Sequence, residues 1–302
     1  MIMNIDKQNG AVCFNEDSHV YWNVNDNEKY ISVTTLIGRY AQPFDRDFWS
    51  AYKALEQLLP TEAWGMEKKS LLATHKIDKE ILSTYNISEL DFNKAQQSIL
   101  DEWDKTNRES CERGTKIHAK LEQSMYDMGA NVTLKKFGVG GKFVCDKGRT
   151  TLDLENGVYP EYLISYVSDD KLLRLAGQID LLVISGNTFY ILDWKTNKEI
   201  KQKSGFNTQT KSTVKMLYPL NNLDDCDYWH YTLQLSIYAW MIQQLRPDLN
   251  LKELILVHWD HSGKQTVYHM DYLKDEVEKM FKHYKKEVVK EKQKARYKRI
   301  EY

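Results

Sequence analysis

Residues 177–195 read Gly-Gln-Ile-Asp-Leu-Leu-Val-Ile-Ser-Gly-Asn-Thr-Phe-Tyr-Ile-Leu-Asp-Trp-Lys. Two apolar runs flank the turn-forming pair Gly186-Asn187, which predicts an antiparallel hairpin. With the hairpin centred between those two residues, Ile184 faces Phe189, Leu182 faces Ile191 and Asp180 faces Asp193. Strand side chains alternate with period two, so Asp193 and Lys195 share a face. Directly opposed side chains hold their Cβ atoms roughly 4.5–5.5 Å apart, so Asp180 and Asp193 repel. A single Asp in a hairpin is ordinarily a turn residue. Two opposed among Leu181, Leu182, Val183, Ile191 and Leu192 need a compensating cation, because charges are rarely placed among apolar strands without a partner. Lys195 supplies one charge from a strand step beyond. A divalent ion between Asp180 and Asp193 is the expected resolution, and hard oxygen ligands suit one or two Mg2+ or Mn2+ ions. A lysine beside such an ion can orient or deprotonate a water, or steady a pentavalent phosphate, in phosphodiester hydrolysis.

Outward from this hairpin, 161–167 reads as a preceding strand joined to a strand over 172–184 by Asp169-Asp170. Residues 196–226 are polar and basic, expected as a loop. An amphipathic helix over 227–245 stops before Pro247, a hairpin joins 254–259 to 265–270 across Ser262-Gly263, and a long helix covers 271–298. Towards the N-terminus, 11–14, 19–24 and 30–33 read as short strands, and Ser32 or Thr34 caps a helix start. Phe48, Tyr52, Leu55 and Leu59 recur at helical spacing, and helices are expected over 44–126, broken at Pro60 and near Asn86. Trp49, Tyr52 and Trp64 in this stretch suit either base stacking or an ordinary helical core. A glycine-rich connector covers 127–160. The expected organisation is an N-terminal β segment (1–40), a helical cap or arch (41–110) and an α/β core (111–302) with a central mixed sheet flanked by helices and a basic C-terminal helix.

The chain has 302 residues, a formal net charge of -1, 42% hydrophobic and 12% aromatic residues, which is globular rather than disordered. No apolar run is long enough to cross a bilayer. Met1 to Gly10 lacks a basic region followed by an apolar stretch, so no secretory signal is expected. Cys13, Cys111, Cys145 and Cys226 form no CxxC pair, which points to a reducing, cytoplasmic setting. Charge is unevenly distributed: Lys195, Lys198, Lys201, Lys203, Lys211 and Lys215 face a single Glu199, and 282–299 is rich in Lys and Arg. Locally basic tracks on a balanced protein suit a nucleic-acid partner, although such a run is equally a solvated helix face. The wealth of Lys, Asn, Ile and Tyr suits a phage or bacterial source.

Gly177-Gln178-Ile179-Asp180 followed by Asp193-Trp194-Lys195-Thr196 resembles the core of the PD-(D/E)XK nuclease superfamily, in its RecB-like exonuclease branch. Arg113-Gly114-Thr115-Lys116-Ile117-His118 resembles the histidine helix of that branch, and Gln234-Leu235-Ser236-Ile237-Tyr238 its QxxxY motif. Ser32-Val33-Thr34 resembles, more loosely, the N-terminal part of the mitochondrial genome maintenance exonucleases. The resemblance implies His118, Asp180, Asp193 and the Trp194 carbonyl as metal ligands, Lys195 as the catalytic lysine and Glu161 as a further catalytic acid. It implies DNA contacts at Gln234, Tyr238, Thr196, Ser32, Thr34 and Arg113. The similar Cas4-type nucleases hold an iron–sulfur cluster with one upstream and three C-terminal cysteines, and no cysteine follows Cys226 here, so no such cluster is expected. Read alone, His118 suits a structural histidine, and Gln234 with Tyr238 a packed helix face. Their places around the hairpin favour the site.

The resulting expectation is a metal-dependent DNA exonuclease acting on single strands or ends in replication, recombination or repair, with no membrane partner. A recombination or replication protein is an open partner. A structure-specific or restriction-like endonuclease and a catalytically silent nucleic-acid-binding module are the competing readings.

Overall fold

Gly186 adopts φ +62° at the first central position of the hairpin turn, a left-handed conformation that glycine takes without a Cβ penalty. That turn fixes the register along both of its strands. The computed structural model describes residues 7–9, 11–15, 18–78, 80–127, 132–134, 139–141, 154–207 and 211–300. In chain order the elements are β1 (Lys7–Asn9), β2 (Val12–Asn15), β3 (Val20–Asn23), β4 (Lys29–Ser32), α1 (Val33–Gly38), α2 (Arg46–Leu58), α3 (Thr61–Thr74), α4 (Glu80–Thr84), α5 (Glu89–Asp127), β5 (Val132–Leu134), β6 (Val139–Gly141), β7 (Gly157–Val167), β8 (Arg174–Ser185), β9 (Thr188–Lys195), β10 (Phe206–Asn207), β11 (Ser212–Thr213), α6 (Asp227–Leu245), β12 (Asn250–Trp259), β13 (Gln265–Met270) and α7 (Lys274–Ile300). Much of the expected 127–160 connector lies outside the described residues.

The chain divides into two compact units, one of Met1–Gln42, Lys116–Phe206 and Thr213–Tyr302, the other of Pro43–Thr115 and Asn207–Ser212. The first unit is built on a mixed sheet of order β1-β2-β3-β4-β8-β9-β12-β13, with β7 also paired to β8. β7 runs antiparallel along β8 from Arg174 to Ile184 and takes up one edge of that strand. The other edge is shared: β4 pairs parallel at Leu175 and Ala176, and β9 pairs antiparallel from Leu181 to Ser185. Residues 177–180 fall between these two partners, and the chemistry-bearing Gly-Gln-Ile-Asp stretch sits there.

Both sheet faces are covered. On one, Ile179, Leu182, Ile184, Phe189 and Ile191 pack with α6, α1 and α7; on the other, Leu181, Val183, Leu192, Trp194, Ile255 and Val257 pack with Met125 and Leu121 of α5. The amphipathic reading of α6 is corrected. Every residue from Thr232 to Ile242 is buried, because the helix is enclosed by the sheet, α1 and α7. A helix covered on all sides needs no polar face. Ser32 caps α1, its hydroxyl accepting the Thr35 N–H at 3.0 Å.

In the second unit Phe48, Tyr52, Leu55, Leu59, Leu71 and Leu82 form a separate core. The base-stacking alternative for its aromatics is overturned for Tyr52, which is buried against Trp64 at a ring separation of 4.6 Å. Trp49 and Trp64 are half-buried against the same cluster. Asp45 caps α2 by accepting the Phe48 N–H at 2.9 Å.

One close packing contact joins the first unit's sheet to α6. A Cβ built on Gly177 would lie 2.7 Å from the buried Tyr238 ring. Gly177→Ala is expected to destabilise the fold by about 1–3 kcal/mol in chemical denaturation. A loss below about 0.5 kcal/mol would show that the Tyr238 ring can swing aside.

Candidate active site

Three carboxylates occupy one row across β7, β8 and β9. Pro160 faces Leu181 and Tyr162 faces Ile179, which puts Glu161 opposite Asp180. Leu181 faces Leu192, so the next position brings Asp180 to Asp193. Neither carboxylate pair closes a ladder pairing. Glu161 instead adopts φ +47°, a conformation that costs a non-glycine residue of order 1–3 kcal/mol and that persists only where the surroundings hold it. Asp180 accepts the Trp194 N–H at 2.6 Å with its side chain, which takes up a backbone donor of β9 where the ladder ends.

Each carboxylate has its own partners. Lys195 Nζ lies 2.6 Å from Asp193 Oδ2 as an ion pair. Gln234 Nε2 donates to Asp193 Oδ1 at 3.1 Å. His118 Nδ1 faces Asp180 Oδ1 at 3.6 Å and Glu161 Oε1 at 3.4 Å, and Gln178 Nε2 donates to Glu161 Oε2. Without an ion, the charge of Asp193 is answered by Lys195 and Gln234. The lysine stem folds back along its own strand face, so its ammonium reaches Asp193 directly.

The donor atoms that could hold a divalent ion are those of His118, Glu161 and Asp180, which lie within 4.8 Å of one another. Glu161 Oε1 is buried and has no hydrogen-bond partner, as expected of an oxygen awaiting a cation. One imidazole nitrogen and two carboxylate oxygens form a fitting donor set. His118 Nε2 lies 3.1 Å from the Trp194 carbonyl, so that oxygen borders the same group.

Burial, and then the Asp193 charge, push the Asp180 pKa up to about 8. Burial alone would lower the His118 pKa, but Glu161, Asp180 and Asp193 outweigh it and raise it to about 9. Burial likewise opposes the Lys195 charge, yet Asp193 and Asp180 hold that ammonium above its ordinary value.

The remaining expected residues are placed as follows. Tyr238 is buried against Gly177, and its phenol is held well above the usual value, by burial first. Thr196 is buried beyond the end of β9. The Ser32 hydroxyl is used within its cap, donating to Thr35 Oγ1 at 2.7 Å, and Thr34 is exposed on α1. Arg113 is half-buried on α5 and belongs to the second unit. Sequence reasoning gave no role to Gln178, although its spacing of two from Asp180 placed it on the same strand face. It also underrated Tyr231, whose ring lies 4.9 Å from Lys195 Nζ and whose hydroxyl accepts from Asn197 Nδ2 at 2.7 Å.

A family model described as the PD-(D/E)XK nuclease superfamily matches residues 146–301. Among solved structures, SSO0001 shares 15% identity at a TM-score of 0.27, covering 42% of this chain and 48% of its own, so this chain spans about half the length of that protein. A structure described as a candidate exonuclease from Eubacterium rectale shares 15% identity at a TM-score of 0.32, covering 86% of this chain and 79% of its own. No curated protein sequence matches this chain.

The site makes stability depend on pH. Folded His118 and Asp180 hold protons more tightly than an unfolded chain, where such groups titrate near about 6.5 and 3.9. The stabilisation from each protonated group is complete below its unfolded pKa. It is lost as pH rises through about 8 for Asp180 and about 9 for His118. The metal-free melting temperature should fall between about pH 6 and pH 9, with Asp180→Asn flattening the fall and Mg2+ restoring more stability at the alkaline end. A melting temperature that is flat or rises over that span would contradict the arrangement.

Proposed function

This chain belongs to the PD-(D/E)XK nuclease superfamily, and from that premise we propose that it is a divalent-metal-dependent deoxyribonuclease that hydrolyses phosphodiester bonds of single-stranded DNA or DNA ends, in replication, recombination or repair. The observation that carries this reading is the row of the buried Asp180 and Asp193 with the half-buried Glu161, the Lys195 ammonium lying 2.6 Å from Asp193. His118, Glu161, Asp180 and the Trp194 carbonyl are the residues that would hold Mg2+ or Mn2+. A bound ion there supplies positive charge to a phosphoryl oxygen and acidifies a water.

The chain's own residues do the rest. Lys195, kept protonated by Asp193 and Asp180, is suited to bind a phosphate oxygen and orient water rather than to accept a proton. Tyr231 presents its ring to that ammonium, and Gln234 holds the Asp193 carboxylate from the other side. Gln178 fixes the orientation of Glu161. The resemblance of the histidine helix and the Gln234–Tyr238 pair to the RecB-like branch favours action at ends over internal cutting. No helix among the described residues is long and apolar enough to cross a membrane.

End-labelled single-stranded and duplex DNA, incubated with Mg2+ or Mn2+, tests the reading. The wild type should release nucleotides from an end only with metal present. Lys195→Ala should lose about a hundredfold to a thousandfold in rate. Absence of metal-dependent cleavage by the folded wild type would remove the enzyme reading and leave a silent binding module, whereas cutting of a closed single-stranded circle would make the enzyme an endonuclease.

A further inference from the structure

Away from the carboxylate row, the β3–β4 turn, the β7–β8 turn and α7 border a groove of about 540 Å3 lined by Asp26, Glu28, Lys29, Lys171, Arg174 and Lys292, among others. One of the two acids is committed. Arg174 Nη2 lies 3.0 and 2.9 Å from the two Asp26 carboxylate oxygens, and the Arg174 guanidinium covers the Tyr30 ring at 5.3 Å. Arg174 is thereby fixed in place. Lys29, Lys171 and Lys292 are exposed, and none makes an ion pair within 4.0 Å among the described residues. The nearby acids of α7 are engaged elsewhere: Glu287 by Lys290 at 2.8 Å, Glu291 by Arg39 at 3.9 Å. α7 is exposed from Lys290 to Arg296, and its basic run continues past Lys292 with Lys294 and Arg296.

A solvated helix face would intersperse its lysines with acids in register. Here three separate elements bring cations to one groove. β8 sets the separation of that groove from the candidate active site, since it begins at Arg174 and reaches Asp180 six residues later. That is about 20 Å at the rise of an extended strand. A nucleic acid backbone covers this distance in at most about six nucleotide steps, the number at the duplex rise of ~3.4 Å per strand, and in fewer when a single strand is extended.

We propose that the groove lined by Lys29, Lys171 and Lys292 around the fixed Arg174 binds the phosphate backbone of a DNA strand several nucleotides away from the bond being cut. The inference rests on the nuclease reading of the carboxylate row and adds a second, sequence-independent contact on the same substrate. Phosphate contacts of this kind position a strand and make binding steeply salt-dependent.

The test uses the full chain carrying Lys171→Glu and Lys292→Glu together. A control carries Lys252→Glu and Lys264→Glu, exposed lysines of the β12–β13 hairpin that change the net charge equally. Metal-free fluorescence anisotropy with a single strand of about twenty nucleotides should show roughly tenfold weaker binding by the groove variant, with a log–log salt slope shallower by about 1.4 for two lost contacts. Cleavage of a dinucleotide, whose single scissile phosphate leaves nothing to reach the groove, should keep its wild-type rate. Lys171→Arg with Lys292→Arg should restore both affinity and slope. Equal weakening in groove and control variants, or an unchanged slope with normal cleavage by the wild type, would overturn the groove alone. A wild type without metal-dependent cleavage would remove the nuclease reading and this inference together.

Discussion

Three neighbouring carboxylates within a sheet repel one another, and the structure around them answers that repulsion. Glu161, Asp180 and Asp193 face one another across β7, β8 and β9 where both ladders lose a pairing. Each has its own donors. Asp193 has the Lys195 ammonium and the Gln234 amide, Asp180 has the Trp194 backbone N–H, and Glu161 has the Gln178 amide. His118 faces the two carboxylates that the lysine does not neutralise. The strained backbone of Glu161 is the conformational cost of completing the row.

The surroundings make this arrangement rigid. β8 is held along one edge by β7, save at Asp180, and at both ends of the other by β4 and β9. α6 is buried from Thr232 to Ile242, so Gln234 and Tyr238 project from a helix with little freedom to move. Tyr238 fills the space that Gly177 leaves by having no side chain. Preorganised groups of this kind act on a developing charge without reorganising first.

Much of this was legible in the sequence because it is local. The Gly186-Asn187 turn and the alternation around it fix the register that brings Asp180 level with Asp193, and the observed pairing of Leu182 with Ile191 and Ile184 with Phe189 follows it. The strand over Thr188–Lys195 and the helix over Asp227–Leu245 were bounded by turn residues and Pro247. What stayed hidden depends on side-chain reach and on long-range packing. A period-two argument places Lys195 on the Asp193 face but does not say that its stem folds back to pair with it. The division of the row into a lysine-bound Asp193 and a His118–Glu161–Asp180 group arises from α5, which no local pattern ties to β8. The enclosure of α6 is invisible for the same reason. The register of β7, ambiguous from its sequence, is set by pairing along the whole of β8.

The central claim is that His118, Glu161 and Asp180 form a divalent-metal site beside Lys195. Anomalous diffraction from a crystal soaked in Mn2+ addresses it most directly. The account predicts one peak at coordination distance, about 2.0–2.3 Å, from oxygens of Asp180 and Glu161 and from a His118 nitrogen, and its loss in Asp180→Asn. A peak elsewhere, or none at a concentration that supports cleavage, would contradict it.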